Sequence, residues 1–171
     1  MTARVELLAL EQSEWLVLGT DPATFAGERK LLLGDQIGTL REIGAATAAF
    51  LARIGGETRW GPFLAVEPGS RLVVGSCAYK GPPAADGAVE IAYFTFPPYE
   101  GKGYATAMAR RLIALAGAPP PARTVRAHTL PERNASVSIL EKLGFVHLGE
   151  VVDPDDGPVW RWERGPDSPP S

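Results

Sequence analysis

The sequence predicts a mixed α/β fold: a single mixed, mainly antiparallel sheet with helices on both faces, rather than a doubly wound parallel one. Three observations lead there. The hydrophobic periodicities run strand, two helices, three strands, helix, strand, helix, two strands. Two apolar runs, 61–67 and 71–79, are separated only by Pro68-Gly69-Ser70, which is a hairpin signal. Residues 89–112 then read as a strand, a tight glycine turn and a helix.

In chain order, residues 4–10 form a first strand. Ser13 caps a short helix through Trp15 and Leu18 that ends near Gly19 and Pro22. Residues 21–38 give no clear periodicity and read as irregular or weakly helical. Thr39 caps a helix running to Ile54, with Ile43, Ala46, Phe50 and Ile54 as its apolar stripe and Gly55-Gly56 as its stop. After the hairpin, residues 80–88 are a solvated loop. Residues 89–96, rich in β-branched and aromatic side chains, make the central strand, stopped by Pro97-Pro98, which cannot donate to a ladder. From Tyr104 the pattern is helical, with Ala105, Met108, Ala109, Leu112 and Ile113 on one face. Proline-rich residues 117–122 lead to a strand over 124–128. Asn134 or Ser136 caps a helix through Leu143, which Gly144 ends. Residues 145–151 and 158–163 form a closing antiparallel pair, and 165–171 read as a disordered tail after a single domain over 1–164.

Composition excludes several classes. The chain has 171 residues, enough for one sizeable core, and a net charge of −3, which gives no bulk attraction to nucleic acid or an anionic membrane. A single cysteine, Cys77, excludes an internal disulfide. No signal peptide or spanning run is evident, so the expectation is a soluble cytoplasmic protein with no nucleic-acid and no membrane partner. His128 and His147 lack metal-ligand spacing, and no metal is expected.

Gly101 and Gly103 bracket Lys102 immediately before a helix. Two glycines so close let the chain turn sharply and let a ligand approach bare N–H groups, and the helix N-terminus adds unpartnered donors and a positive dipole end. That is an anion site, suited to a pyrophosphate. The P-loop pattern is absent. Thr106 stands where a Rossmann fingerprint needs its third glycine, and no acidic residue follows at the required distance.

The segment Glu100-Gly101-Lys102-Gly103-Tyr104-Ala105 resembles the acetyl-CoA loop [Q/R]-x-x-G-x-[G/A] of the GCN5-related (GNAT) N-acetyltransferases, with Glu100 in place of Gln or Arg. The likeness extends from Trp60 to Glu163 through K-G-P-P, V-E-I-x-Y, L-E-K-L-G-F and W-R-W-E, near the ribosomal-protein N-terminal acetyltransferase branch. It implies a fold whose fourth and fifth strands splay apart around the acetyl donor. It also implies acetyl-CoA as co-substrate, an amine-bearing acceptor (peptide N-terminus or small molecule) and room for a homodimer. Residues Phe94, Thr95 and Phe96 are implied to pair with pantetheine as an added strand, and Gly101, Lys102, Gly103, Tyr104, Ala105 and Thr106 to hold phosphate. Trp15, Phe25 and Trp60 either wall the acceptor cleft or simply pack.

The implied reaction is direct attack of an amine on a thioester. The amine must lose a proton, and Glu90, in an otherwise apolar strand, is the candidate base, with His128 behind it. Ser136 falls on the family's Ser, and the acid is Ser136, water or none. The family's Tyr acid position is Leu140 here, and its Asn position is Arg133, with Asn134 one step later as a candidate CoA ligand or a helix cap. Cys77 reads as a nucleophile or, with nothing to activate it, a small buried hydrophobe. Two other readings stand beside an N-terminal acetyltransferase: a small-amine or antibiotic acetyltransferase, and a non-catalytic CoA-binding sensor.

Overall fold

The computed structural model describes residues 2–55 and 59–165. Seven strands are ordered β1-β2-β3-β4-β5-β7-β6, mostly antiparallel, with β4 and β5 the parallel neighbours. The chain forms two compact units, Met1–Ala78 with Tyr93–Met108, and Tyr79–Ala92 with Ala109–Ser171. The strand β4 (Ala88–Thr95) and the helix α4 (Tyr104–Ala116) each contribute residues to both. The expected tail lies outside the described residues apart from Gly165.

In the first unit, β1 (Glu6–Ala9), β2 (Phe63–Val66) and β3 (Val73–Tyr79) pair antiparallel. The turn between β2 and β3 is held by one side chain. The Glu67 carboxylate accepts from the N–H groups of Gly69 and Ser70 at 3.1 and 2.6 Å and from the Ser70 hydroxyl at 2.5 Å. Those donors hold Glu67 below the usual carboxylate range.

Three helices precede β2, not two: α1 (Gln12–Thr20), α2 (Pro22–Arg29) and α3 (Ile37–Ile54). The extra one occupies the stretch read as irregular or weakly helical. Its signal is local rather than periodic: Asp21 caps it by accepting from Thr24 N–H at 3.2 Å, and Pro22 sits at the first helical position, where its missing N–H costs nothing. Helix α1 begins two residues earlier than a Ser13 cap implies, because Glu11 is the cap and its N–H donates to the Glu14 carboxylate at 3.2 Å.

Helix α3 buries Leu40, Gly44, Ala48 and Leu51; of the expected stripe, Ile43 and Phe50 pack at the edge of this core, while Ala46 and Ile54 are exposed. Close packing against α1 turns the helix to this face. A Cβ on Gly44 would lie 2.6 Å from Gly19 N, and one on Gly19 2.6 Å from Ala45 N, so the two backbones approach as only glycines allow. Trp15, Leu18, Phe25, Leu64, Val66, Val73 and Phe96 complete this core.

In the second unit, β4 meets β5 (Thr124–Thr129) in three parallel pairs: Ala88 with Thr124, Val89 with Val125 and Glu90 with Arg126. Pairing stops there, although β4 runs on to Thr95 and β5 to Thr129. The expected divergence of the fourth and fifth strands takes this form. On its other side β5 pairs antiparallel with β7 (Gly157–Arg164), which pairs with β6 (Val146–Asp153). Helix α5 (Ala135–Lys142) is capped by Asn134, whose Oδ1 accepts from Val137 N–H at 3.0 Å.

Within the first unit β3 also carries Gly75, which has no room for a side chain. A Cβ there would fall against the Phe94 carbonyl oxygen and 3.2 Å from the end of Met108. The oxygen is backbone and cannot swing aside. Gly75→Ala should therefore cost about 1–3 kcal/mol, the usual range for overpacking. A lowered urea midpoint with unchanged slope is the expected result, and an unchanged midpoint would show that the two strands have slack.

Candidate active site

The sequence folds β4 into two functional stretches. The first centres on Glu90. Its side chain is 21% exposed, and its inner oxygen, Oε2, is buried. Lys80, read as part of a solvated loop, follows directly on β3; its N–H donates to the Glu90 carbonyl at 2.8 Å, which places its side chain beside Glu90. Lys80 Nζ lies 2.8 Å and His128 Nδ1 3.1 Å from Glu90 Oε2. Neither approach has hydrogen-bond geometry, and that of Lys80 is a charge contact.

Helix and sheet periodicity explain the rest of the cluster. Along β5, Val125, Ala127 and Thr129 are buried, which leaves Arg126 and His128 together on the other face. Arg161, between Trp160 and Trp162 on β7, pairs in register with His128, and its Nε donates to His128 Nε2 at 3.3 Å. Arginine has no acceptor, so Nε2 carries the lone pair and the imidazole proton is assigned to Nδ1, toward Glu90. Arg126 binds Glu163 at 2.6 Å and Asp86 at 2.8 Å. Burial lowers the Arg126 guanidinium, but Asp86 and Glu163 outweigh it and hold it above its ordinary value.

Burial also lowers Lys80, and again the carboxylates win. Glu90, then Asp153 and Asp156, hold its ammonium above the ordinary value. Asp153 is itself held below the usual range by the N–H groups of Asp156 and Asp155, with Lys80 and His128 contributing less.

The second stretch is the end of β4 and the turn beyond it. Phe94 is 47% exposed, and Thr95 Oγ1 is buried with no partner. Phe96 differs from its neighbours: its side chain is core, its N–H donates to Val74 and its carbonyl accepts from Tyr99. A short 3-10 turn, Pro97–Tyr99, leads to Gly101 and Gly103, both left-handed at φ 74° and 88°. A side chain on Gly103 would also press on Ala3 at 3.3 Å. Helix α4 starts at Tyr104, with Ala105 and Thr106 in its first turn, so their N–H groups have no acceptor within the helix. Lys102 is exposed, 6.0 Å from the Tyr99 ring centre. Glu100 is exposed as well.

The remaining candidates divide. Ser136 lies half-buried in the first turn of α5, and Asn134 spends its oxygen on the cap. Leu140, at the family's Tyr position, is wholly buried. Burial pushes the Cys77 thiol up to about 12, which removes it as a nucleophile. Trp15 and Phe25 are core, and Trp60 is buried under Arg59, whose guanidinium lies 4.3 Å from the Trp60 ring centre. His147 stacks on Trp162 at 4.7 Å. Among the described residues, no group of three or more His, Cys, Asp and Glu side chains is placed to hold a metal ion, and no helix is long and apolar enough to cross a membrane.

The family model described as "Acetyltransferase (GNAT) domain" matches residues 23–146, more than half of the chain and both stretches of β4. The chain belongs to the GNAT acetyltransferase family. Its fold agrees with solved GNAT structures at low identity. A spermidine N-acetyltransferase SpeG chimera from Vibrio cholerae and hSSAT is 16% identical with a TM-score of 0.68, covering 96% of this chain and 97% of that one. The ribosomal-protein-S5-alanine acetyltransferase of Vibrio fischeri is 14% identical with a TM-score of 0.64, covering 98% and 96%. A GNAT-family acetyltransferase from Bacillus anthracis is 16% identical with a TM-score of 0.62, covering 98% and 100%. No curated protein matches the sequence.

GNAT proteins take their acetyl group from acetyl-CoA. In this chain the turn at Gly101 and Gly103 is exposed and left-handed. The Lys80 contact gives a stability test. A lysine raised by its partner contributes stability that is fully present below its ordinary value of 10.5 and is lost as pH rises through the higher folded value. Half-exposed as it is, the pair contributes under about 1 kcal/mol. The stability difference between wild type and Lys80→Met should thus be constant around neutral pH and shrink above 10.5. A difference that stays flat through the alkaline range would remove the pair from the account.

Proposed function

We propose that this GNAT protein is an acetyl-CoA-dependent N-acetyltransferase that moves the acetyl group to a primary amine, with Glu90 as the base. The observation that carries the reading is the two-part character of β4. Its first part holds a half-buried carboxylate among titratable partners. Its last part loses its β5 neighbour and runs into a left-handed glycine turn.

Each residue then has a task. Thr95 offers backbone groups to the pantetheine amides in the manner of an added strand, while the Phe94 carbonyl faces Gly75 on β3, and the Thr95 hydroxyl is a buried polar atom in want of a partner. Gly101 and Gly103 with the first N–H groups of α4 take the pyrophosphate, and Lys102 adds charge. Asn134 has its amide N–H groups left for the CoA arm, and Ser136 is the candidate donor to the departing thiolate. Glu90 accepts the amine proton, directly or through a water. His128, with its proton on Nδ1, and Lys80 orient that carboxylate through Oε2 and leave Oε1 for the acceptor side.

The acceptor is a peptide N-terminus or a small amine. Solved relatives named for a ribosomal-protein alanine and for spermidine accommodate both on this fold. The sensor reading keeps donor binding and drops turnover; Leu140 in place of a Tyr acid is the feature that favours it.

CoA should raise the melting temperature of the wild type, because a ligand held only by the folded state stabilises it. Gly103→Val forces a side chain into a left-handed backbone and should abolish that shift. A missing shift in the wild type would overturn donor binding. In turnover with an amine panel, Glu90→Gln should lower the rate by about 10²- to 10⁴-fold, the size of a general-base contribution, with recovery at high pH and an unchanged CoA shift. Wild-type turnover in Glu90→Gln would remove Glu90 from the chemistry, and CoA binding without turnover on any amine would leave the sensor reading.

A further inference from the structure

The contact between Lys80 and Glu90 has a chemical reading beyond an ion pair. Lys80 ends in a primary amine, and that amine stands 2.8 Å from the oxygen of the carboxylate assigned as base. A primary amine beside the base is the arrangement an acceptor substrate must reach. The chain has four lysines, and Lys30, Lys102 and Lys142 form no ion pair with any described residue. The Lys80 side chain is 46% exposed, while its backbone is pinned by the hydrogen bond to the Glu90 carbonyl.

We propose that Lys80 is an intramolecular acetyl acceptor, a modification site of the enzyme itself. This rests on the reading of Glu90 as base and acetyl-CoA as donor. The step balances without any further reagent. The Lys80 ammonium gives a proton to Glu90, and the neutral Nζ attacks the acetyl carbonyl carbon. An N–C amide bond forms, the C–S thioester bond breaks, and the CoA thiolate leaves with a proton. The products are Nε-acetyl-Lys80 and CoA thiol.

Two opposing effects set the rate. The carboxylates facing Lys80, namely Glu90, Asp153 and Asp156, keep it charged and reduce the neutral fraction, and His128 shares Glu90 Oε2 with it. Against that, the acceptor is already tethered, and effective molarities for well-placed intramolecular groups reach about 10⁵–10⁸ M. Acetylation also removes the cation from Glu90. The modified enzyme then presents an external amine with a base that has lost its cation and keeps His128 beside Oε2, so the modification alters the same site that produces it.

The test is a time course of the full-length protein with acetyl-CoA, followed by peptide mass mapping of all four lysines. Lys80 should be acetylated at least about 10²-fold faster than Lys30, Lys102 or Lys142, the lower bound of a general-base effect. The rate should not change with protein concentration, and Lys80→Arg should show no fast site. Glu90→Gln should bring the labelling of Lys80 down to that of the other lysines. The concentration series reads the intramolecular step even if that variant folds poorly. Labelling of Lys80 no faster than its neighbours, or a rate proportional to protein concentration, overturns the proposal. The CoA melting shift and turnover on external amines are read in the same samples. If both are present while Lys80 stays unlabelled, the proposal falls and the functional reading stands. If neither is present, both fall.

Discussion

The end of pairing between β4 and β5 is the constraint on which the rest depends. A parallel pair normally runs the length of both strands, yet here it lasts three residues and stops at Glu90 and Arg126. Backbone groups left without a ladder partner must find water, a side chain or a ligand. The chain keeps β4 extended beyond that point by other means. Phe96 N–H is tied to Val74, its ring is buried, and Gly75 admits the Phe94 carbonyl at a distance no other residue would tolerate. The end of β4 is thereby held against β3.

The charges follow from the same strand. Glu90 is the last β4 residue with a β5 partner, so its neighbours are the polar face of β5 and the residue that follows β3. Oε2 faces Lys80 and His128, while Arg161 fixes the imidazole from behind. A carboxylate in that setting is oriented rather than isolated.

Much of this was legible in the sequence, and what was not has physical causes. The hairpin, the central strand, the glycine turn and the α4 face were readable because period and punctuation agree there. Asp21-Pro22 was missed since α2 is signalled by a cap and a proline rather than by periodicity. The α3 stripe was misplaced because Gly44 counts as nothing in an apolar pattern, yet its absent side chain decides which face meets α1. Glu90 and His128 were each singled out, but not Lys80 or Arg161. Lys80 sits in a loop-like sequence, and only the β3–β4 register brings it to Glu90. Arg161 was readable in principle: flanked by Trp160 and Trp162, it must face the other way along β7. Phe96 shows the limit of motif reasoning, since it adjoins Thr95 in sequence but spends its backbone on Val74 and Tyr99.

The central claim is that the open end of β4 and the glycine turn hold the acetyl donor. Amide hydrogen exchange of the peptide covering residues 94–106, with and without CoA, tests it most directly. The account predicts fast exchange in the free protein and strong protection on adding CoA, confined to this stretch and its immediate contacts. Equal exchange in both states, or protection already complete in the free protein, would contradict it.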